Sequence, residues 1–309
     1  MRSDHSGTAW RLGLDAVAAE VVEAFRARGV RTLLFKGPAL ERWLYGNGRK
    51  RGYRDIDLLV APDGFEVAER TLAELRFHMP LAGARPEERS WLEDEWRRGP
   101  FWIDLHRSLW GVGVGAETVW QTLSERTRPM EIGGARVEVP TDPVQALIAA
   151  LHAAHHGRTN FRPLEDLGRA IARGDLSLWQ TAADIAHRLE ALGAFTVGLS
   201  LLPAGEELVG RLGLEVTASV EVHLKAQAGS RLSLGVVRLG AAPNLGSRLA
   251  LIASALVPSP PALRDLYPLA RRGRLGLLAA YAWRPLSLCV HAPGALREVK
   301  SARRRARAG

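Results

Sequence analysis

Three aspartates occupy apolar surroundings in which carboxylates are unusual. Asp55 and Asp57 lie two residues apart at the start of an apolar run, and Asp104 lies between Ile103 and Leu105 in another. On a strand, side chains at positions i and i+2 point to the same face, so Asp55 and Asp57 are expected side by side. Neighbouring carboxylates repel each other unless a cation, a proton or a basic group lies between them. If the two strands are neighbours, the pattern predicts a divalent-metal site of three carboxylates, because Mg²⁺ prefers carboxylate oxygens together with phosphates.

A second set of candidates consists of a glycine and basic residues. Lys36 and Gly37 end a short apolar strand and open a predicted helix. N–H groups at a helix N-terminus bind phosphate, and glycine allows a close backbone approach. Lys36 adds a point charge for a phosphate or for pyrophosphate, although a strand-end lysine that reaches solvent along its stem is the alternative. The loop that follows holds further basic candidates: Arg49, Lys50, Arg51 and Arg54.

Histidines form a third set. His106 follows Asp104 at i+2 and should share its face, where it would bind substrate or orient a carboxylate; a structural histidine is the alternative. Three further histidines lie on one predicted helix: His152, His155 and His156. A zinc site there would need another ligand, such as Asp166. The spacing is not a known zinc pattern, so the favoured interpretation is packed histidines that face the cleft and are hydrogen-bonded to Asp166 or Glu165.

The elements that position these residues follow from hydrophobic periodicity. For the first part we predict a helix over 14–28, a strand over 32–35, helices over 39–46 and 65–77, strands over 55–62, 101–109 and 137–140, and an irregular stretch over 79–98. From Asp142 onward helices are predicted over 141–157, 162–171, 177–193, 206–212, 217–227 and 246–256, with a mobile basic end over 296–309. The prediction is therefore an α+β domain with a small mixed sheet over 1–140, followed by a helical C-terminal domain with a basic tail over 141–309.

Composition limits the class of protein. Hydrophobic residues make up 47% of the 309 residues and charged residues 24%, which is typical of a globular chain. The net charge of +9 favours anionic partners such as nucleotides, nucleic acid or an acidic membrane surface, and a genomic bias toward arginine is the alternative. Cys289 is the single cysteine, so no disulfide can form within the chain.

The N-terminus has no signal-peptide pattern. The apolar stretch 275–290 is interrupted by Arg284 and Pro285 and is too short to span a bilayer. A cytoplasmic protein is expected.

The segments LLFKGPAL, YRDIDLLV and WIDLH together resemble the uncharacterised nucleotidyltransferase family of the polymerase-β-like nucleotidyltransferase superfamily. More distantly, they resemble bacterial nucleotidyltransferases that modify antibiotics. The resemblance makes Gly37 the turn glycine, Asp55 and Asp57 the metal pair and Asp104 the third acid. Pro38 departs from the superfamily pattern, which has Ser or Gly at this position, and it removes one N–H that would contact phosphate. The segment LHAAHHGRTNFRPLEDLGRAI is similar to the His-and-Asp helical stretch that follows the catalytic part in this family.

The resemblance implies a polymerase-β-like fold and an enzyme. The reaction would be Mg²⁺- or Mn²⁺-dependent transfer of a nucleoside monophosphate from an NTP, such as ATP, to an acceptor, with release of pyrophosphate. The catalytic and metal-binding residues would be Asp55, Asp57 and Asp104. The nucleotide-binding residues would be Lys36, Gly37, Arg54 and His106. A small-molecule or peptide acceptor is favoured because family members are encoded near peptide natural-product pathways; a protein side chain or an RNA end stays open.

Two alternatives to this function remain at the level of sequence. One is transfer of the terminal phosphate in place of the nucleotide. The other is a catalytically inactive protein of the same fold that binds nucleic acid or an acidic partner through its Arg-rich C-terminal region.

Overall fold

The chain folds into a four-stranded mixed sheet, a β-hairpin and a long series of helices, as the computed structural model shows for residues 5–46 and 51–308. The strands are β1 (Thr32–Phe35), β2 (Ile56–Val60), β3 (Glu93–Arg98), β4 (Phe101–His106), β5 (Thr127–Ile132) and β6 (Ala135–Pro140). The helices are α1 (His5–Ala27), α2 (Gly37–Leu44), α3 (Phe65–Glu74), α4 (Ala116–Ser124), α5 (Asp142–His156), α6 (Phe161–Arg173), α7 (Leu176–Arg188), α8 (Leu192–Leu199), α9 (Pro203–Arg211), α10 (Val220–Ala226), α11 (Arg231–Ala241), α12 (Leu245–Leu256), α13 (Pro260–Leu266) and α14 (Gly273–Ala308). The predicted α+β class with a small mixed sheet and a helical C-terminal region is confirmed.

The sheet has the strand order β1-β2-β4-β3. β1 runs antiparallel to β2, β2 parallel to β4, and β3 antiparallel to β4. The register of the parallel pair places Asp57 directly beside Asp104. The two predicted acidic strands are therefore neighbours, as a shared site requires.

Alternation along the strands separates two faces of the sheet. Ile56, Leu58, Ile103 and Leu105 belong to one core cluster, which also includes side chains of α1 and α3. Phe35, Leu33 and Leu59 belong to the other, which contains α2, α4, α5 and the helices that follow α5. Since side chains two residues apart share a face, Asp57 and Asp104 point toward the α5 side.

The helix α5 faces this side of the sheet and is nearly all buried from Val144 to Ala154, a run of small and apolar residues interrupted by Gln145 and His152. α8 approaches it so closely that a Cβ on Gly198 would lie 2.1 Å from the carbonyl oxygen of Ala150. Only glycine fits at such a distance. α5 is therefore held firmly opposite the acidic strands.

Three sequence predictions differ from the structure. The stretch 79–98, expected to be irregular, contains β3, in which Asp94 and Trp96 are buried and their neighbours are more exposed. The predicted helix over 177–193 ends at Arg188 and a separate helix, α8, follows. The basic end is the last part of α14, which continues through Pro285 and Pro293 to Ala308.

The expected domain boundary near residue 141 stays a prediction. Packing is continuous across it, since Leu40 and Trp43 belong to the same core cluster as Leu147 and Leu151. Among the residues that the structure describes, no helix combines the length and the apolar character needed to cross a membrane.

Candidate active site

Two carboxylates and one imidazole form the centre of the site. Asp57 lies in the middle of β2 and is 4% exposed, and Asp104 and His106 lie on the adjacent β4. Each of the three offers a ligand atom, and these atoms all lie within 4.8 Å of one another. Parallel pairing with Asp57 beside Asp104 produces this convergence. Carboxylate oxygens at such spacing suit a hard divalent cation.

Asp55, the third predicted carboxylate, is not in that group of ligand atoms. It precedes β2 and is half-buried. Burial and the charge of Asp57 raise its pKa, and its own charge in turn raises the pKa of Asp104. The structure therefore brings Asp57 and Asp104 together and leaves Asp55 as a close electrostatic neighbour.

Lys36 provides the positive charge that the carboxylates require in this state. Its Nζ donates to Asp57 Oδ1 at 2.8 Å. Its backbone has φ 57° and ψ −145°, a region that residues other than glycine seldom adopt. Holding Lys36 in this conformation costs about 1–3 kcal/mol of folding free energy. Burial alone would lower the pKa of the ammonium, but Asp57 outweighs burial and the pKa is raised. The unusual backbone angles and the ion pair with buried Asp57 favour a role for Lys36 in the site. They argue against the alternative of a strand-end lysine that only reaches solvent.

His106 orients Asp57. Its Nε2 donates to Asp57 Oδ1 at 3.0 Å, and its Nδ1 lies 3.2 Å from Glu93 Oε2 on β3. The edge of the ring packs against Phe35, with centroids 4.7 Å apart. Of the two roles expected for His106, the geometry favours orienting a carboxylate.

The two central carboxylates have opposite pKa shifts. Burial would raise the pKa of Asp57, but Lys36 and His106 outweigh burial and lower it. Burial raises the pKa of Asp104 well above its usual range, and the like charges of Asp57, Asp55 and Glu93 raise it further. Asp104 thus carries a negative charge that its surroundings disfavour, which a cation at this point would relieve.

The remaining phosphate candidates are placed differently. Gly37 opens α2 with φ 28°, a conformation that favours glycine, and Pro38 follows it at the start of the helix. Arg54 is exposed. Arg51 is buried and pairs with Asp166, so it serves a structural contact. Arg49 and Lys50 lie outside the described residues.

A cavity lies beside the carboxylates, between the sheet and α5. It is partly open to solvent, and its lining residues are Phe35, Lys36, Leu92, Glu93, His106, Leu109, Trp110, Ile148, Leu151, His152 and His155. The lining is mostly apolar. Its polar residues are Lys36, Glu93 and His106 near the carboxylates, and His152 and His155 on α5. The histidine helix therefore faces the cleft, as predicted.

The expected hydrogen bonds of these histidines are replaced by others. Asp166 accepts from Tyr45 and Arg51, while His155 Nε2 accepts from Lys225 Nζ at 2.9 Å. Since an ammonium group can only donate, this nitrogen of His155 carries no proton. The ring also stacks on Trp110, with centroids 5.0 Å apart. Zinc is not favoured, because the metal-ligand group found in the described part of the chain does not include these histidines.

His155 should make stability depend on pH. Burial, followed by the charge of Lys225, lowers its pKa from 6.5 to about 2. Below pH 6.5 His155 binds a proton in the unfolded chain but not in the folded chain. The free energy of unfolding therefore decreases as pH falls toward 2. The contribution is at most about 1.4 kcal/mol per pH unit. We expect His155→Gln to flatten this decrease in urea unfolding measured between about pH 7 and 5.

The matched control is His187→Gln, which changes an exposed histidine on α7. It should retain the wild-type dependence of unfolding free energy on pH. Equal slopes for His155→Gln and the wild type would contradict the neutral state assigned to His155.

Sequence reasoning missed Glu93 and Lys225. Glu93 lies on β3, whose signal was the alternation of buried Asp94 and Trp96 with exposed neighbours. Trp110 and Lys225 meet His155 from distant parts of the chain. No local pattern marks such partners.

A family model described as uncharacterised nucleotidyltransferase matches residues 10–204. No curated protein matches the sequence. Among solved structures, the solution structure of the antibiotic-resistance factor ANT(2'')-Ia is 16% identical, covers 59% of this chain and 96% of its own, and has a TM-score of 0.43.

Two further solved structures are similar to the chain. A crystal structure of ANT(2'')-Ia with adenylyl-2''-tobramycin is 14% identical over 56% of this chain and 97% of its own, with a TM-score of 0.41. An antigenic nucleotidyltransferase-like protein from Paracoccidioides brasiliensis is 13% identical over 58% of this chain and 92% of its own, with a TM-score of 0.35. The residues matched by the family model make up more than half of the chain. The chain therefore belongs to the uncharacterised nucleotidyltransferase family, as its resemblance implied.

Proposed function

We propose that the protein transfers a nucleoside monophosphate from an NTP to an acceptor hydroxyl, with Mg²⁺ or Mn²⁺ and with release of pyrophosphate. The observation that carries this proposal is the pairing of Asp57 with Asp104 across two parallel strands, with Lys36 bound to Asp57. Two adjacent carboxylates and a partly buried lysine are groups suited to metal-bound triphosphate chemistry. An NTP donor is consistent with a cytoplasmic reaction.

The residues present suit a divalent metal. Asp57 and Asp104 would hold it, with Asp55 as a further carboxylate close by. Burial, together with the like charges of Asp57, Asp55 and Glu93, raises the pKa of Asp104 even with Lys36 in place, so a cation there would stabilise its charged form. When bound, the metal would offset charge on the triphosphate and lower the pKa of the attacking hydroxyl.

Three side chains have proposed roles beside the metal. Lys36 neutralises Asp57 in the metal-free chain, and its ammonium can pair with phosphate oxygens once Asp57 binds a cation. His106 keeps Asp57 oriented through the bond from Nε2. Asp104 would accept the proton of the acceptor hydroxyl, since a carboxylate beside the metal is placed to act as a general base.

The cavity beside the carboxylates would hold the acceptor. Its walls include Phe35, Leu109 and Trp110, so they match an apolar or aromatic group better than a strongly charged one. We therefore favour a small molecule or a peptide side chain whose hydroxyl is attached to an apolar body. Gly37 and the exposed Arg54 remain proposed contacts of the nucleotide.

Metal-dependent nucleotide binding tests the proposal directly. Calorimetric titration of each NTP should give binding only when Mg²⁺ or Mn²⁺ is present. Binding should weaken by at least about tenfold in the double variant Asp57→Asn/Asp104→Asn, because the carboxylates supply the metal ligands. The control Asp63→Asn changes an exposed carboxylate paired with Arg31 and should bind as the wild type does.

Product analysis separates the competing functions. Incubation with labelled NTP, metal and a set of hydroxyl-bearing acceptors should release pyrophosphate and add the mass of one nucleotide to the acceptor. Release of nucleoside diphosphate would identify phosphotransfer instead. Nucleic-acid binding that weakens steeply with salt, with no NTP binding, would favour the inactive binding protein.

A further inference from the structure

The positive charge of the chain is concentrated at its C-terminal end. Residues 257–309 contain eleven Lys and Arg against two acidic residues, a net charge of +9, which equals the net charge of the whole chain. The family match ends at residue 204, so this segment lies outside it. The basic segment is thus separate from the part of the chain that carries the acidic centre.

The helix α14 presents an apolar face to solvent along much of its length. Between positions 275 and 296 only Arg284 is charged, and its side chain turns toward the protein, where it donates to the carbonyl oxygen of Ala255 at 2.9 Å. The buried positions of the helix are Ala280, Ala295, Val299 and Ala302. The exposed apolar positions, which we call the α14 stripe, are Leu275, Leu278, Trp283, Leu286, Val290 and Leu296.

The stripe is long and strongly exposed. At 1.5 Å per residue, positions 275–296 extend over roughly 33 Å. Leu275 is 84% exposed, Val290 63% and Trp283 49%. A contiguous apolar surface of this kind on a folded protein indicates a docking site.

Exposed basic residues lie at both ends of the stripe. Before it come Arg271, Arg272 and Arg274, and after it come Arg297, Lys300, Arg303, Arg304, Arg305 and Arg307. A partner that covers the α14 stripe must therefore bury apolar side chains along the middle of the helix and supply negative charge at both ends.

We propose that the α14 stripe docks in the plane of a phospholipid bilayer with anionic headgroups. The leucines and Val290 would enter the acyl boundary, Trp283 would lie at the interface, and the basic ends would pair with headgroups. A second copy of this chain would bring like charges together at the basic ends. Nucleic acid would match the arginines and leave the leucines in water. The bilayer is the occupant that satisfies both features.

Vesicle flotation of the full chain tests this proposal. Vesicles of phosphatidylcholine and phosphatidylglycerol in equal parts should carry the protein upward, and vesicles of phosphatidylcholine alone should not. High salt should weaken the binding, because it screens the attraction between the exposed arginines and lysines and the anionic headgroups.

Two variants divide the apolar and basic contributions. Leu286→Gln/Val290→Gln removes two exposed apolar side chains and should lower the vesicle-bound to free ratio by about tenfold. Arg303→Gln/Arg304→Gln/Arg305→Gln removes three exposed charges and should lower it by roughly a hundredfold, at about fivefold per charge. The charge-matched control Arg173→Gln/Arg188→Gln/Arg211→Gln changes exposed arginines elsewhere and should bind as the wild type does.

Several results would overturn the proposal. These are no binding to the anionic vesicles, binding that neither variant weakens, and equal losses in the charge-matched control. A dimer in solution that Leu286→Gln/Val290→Gln dissociates, with no vesicle binding, would assign the stripe to a second copy. If thermal unfolding shows that the apolar variant is destabilised, the arginine variant alone decides, since its residues are exposed at the end of the helix.

Discussion

Replacing Asp104 with Asn should abolish nucleotidyl transfer and raise the Tm in the same variant. The loss of a carboxylate of the proposed metal site is expected to lower the rate by about a thousandfold, equivalent to about 4 kcal/mol of transition-state stabilisation. Stability should change in the opposite direction. Asn has the shape of Asp without its charge, and the charge of Asp104 is disfavoured by burial and by Asp57, Asp55 and Glu93.

The expected gain in stability is modest but measurable. Removing one unfavourable buried charge should contribute about 1 kcal/mol, or roughly 2–4 °C in Tm for a protein of this size. Thermal unfolding in the absence of metal and initial rates of pyrophosphate release measure the two effects on one preparation. Asp63→Asn on the surface should change neither.

Asp57→Asn is the informative contrast. It should lose activity to a similar extent, but it also removes the partner of Lys36 and His106 and should therefore lower the Tm. Opposite changes of Tm in Asp57→Asn and Asp104→Asn, with activity lost in both, are the signature of a charged catalytic pair. An active Asp104→Asn variant would exclude Asp104 from the chemistry.

The acidic strands could be predicted because their signal is local. Asp55 begins an apolar run, Asp57 and Asp104 interrupt one, and alternation along Asp55 to Val60 and along Phe101 to His106 assigns them to one face. The neighbouring position of the strands came from resemblance to the family and not from the pattern itself. The parallel register then determines that Asp57 and Asp104 are the adjacent pair, while Asp55 lies outside the group of ligand atoms.

Features that depend on contacts between distant residues were beyond sequence reasoning. Arg51 was one of four basic candidates for phosphate in its loop, but its partner is Asp166, 115 positions later. β3 was missed because five of its six residues are charged, and a charged edge strand resembles a loop. The end of α14 was expected to be mobile because it is basic, whereas Ala295, Val299 and Ala302 bury one side of it.

The Arg51–Asp166 pair connects the segment before the acidic strand to the helical half of the protein. Asp166 on α6 receives Arg51 Nε at 2.8 and 2.9 Å and the hydroxyl of Tyr45 at 2.7 Å. The side chains of Arg51 and Asp166 are 5% and 2% exposed. The contact fixes the chain four residues ahead of Asp55, so it should affect both stability and the precision of the site.

We expect Asp166→Ala to lower the free energy of unfolding by about 3–5 kcal/mol, because it leaves a buried guanidinium without its counter-charge. Urea unfolding measures the loss. The neighbouring variant Glu165→Ala removes a more exposed ion pair with Arg169 within one helix and should cost only about 0.3–0.5 kcal/mol. Comparable losses in the two variants would show that the buried pair contributes no more to the free energy of unfolding than the exposed pair does.

The double variant Arg51→Met/Asp166→Leu shows whether charge or shape accounts for the loss. It removes both charges and fills the space with apolar side chains, so it should recover most of the stability that Asp166→Ala loses. Tyr45 keeps its ring contact with Arg169 but loses its acceptor, which leaves a residual cost of about 1–3 kcal/mol. If stability returns while the transfer rate stays low, the pair positions the segment that carries Asp55 and Asp57. If the rate returns as well, the pair acts only on folding.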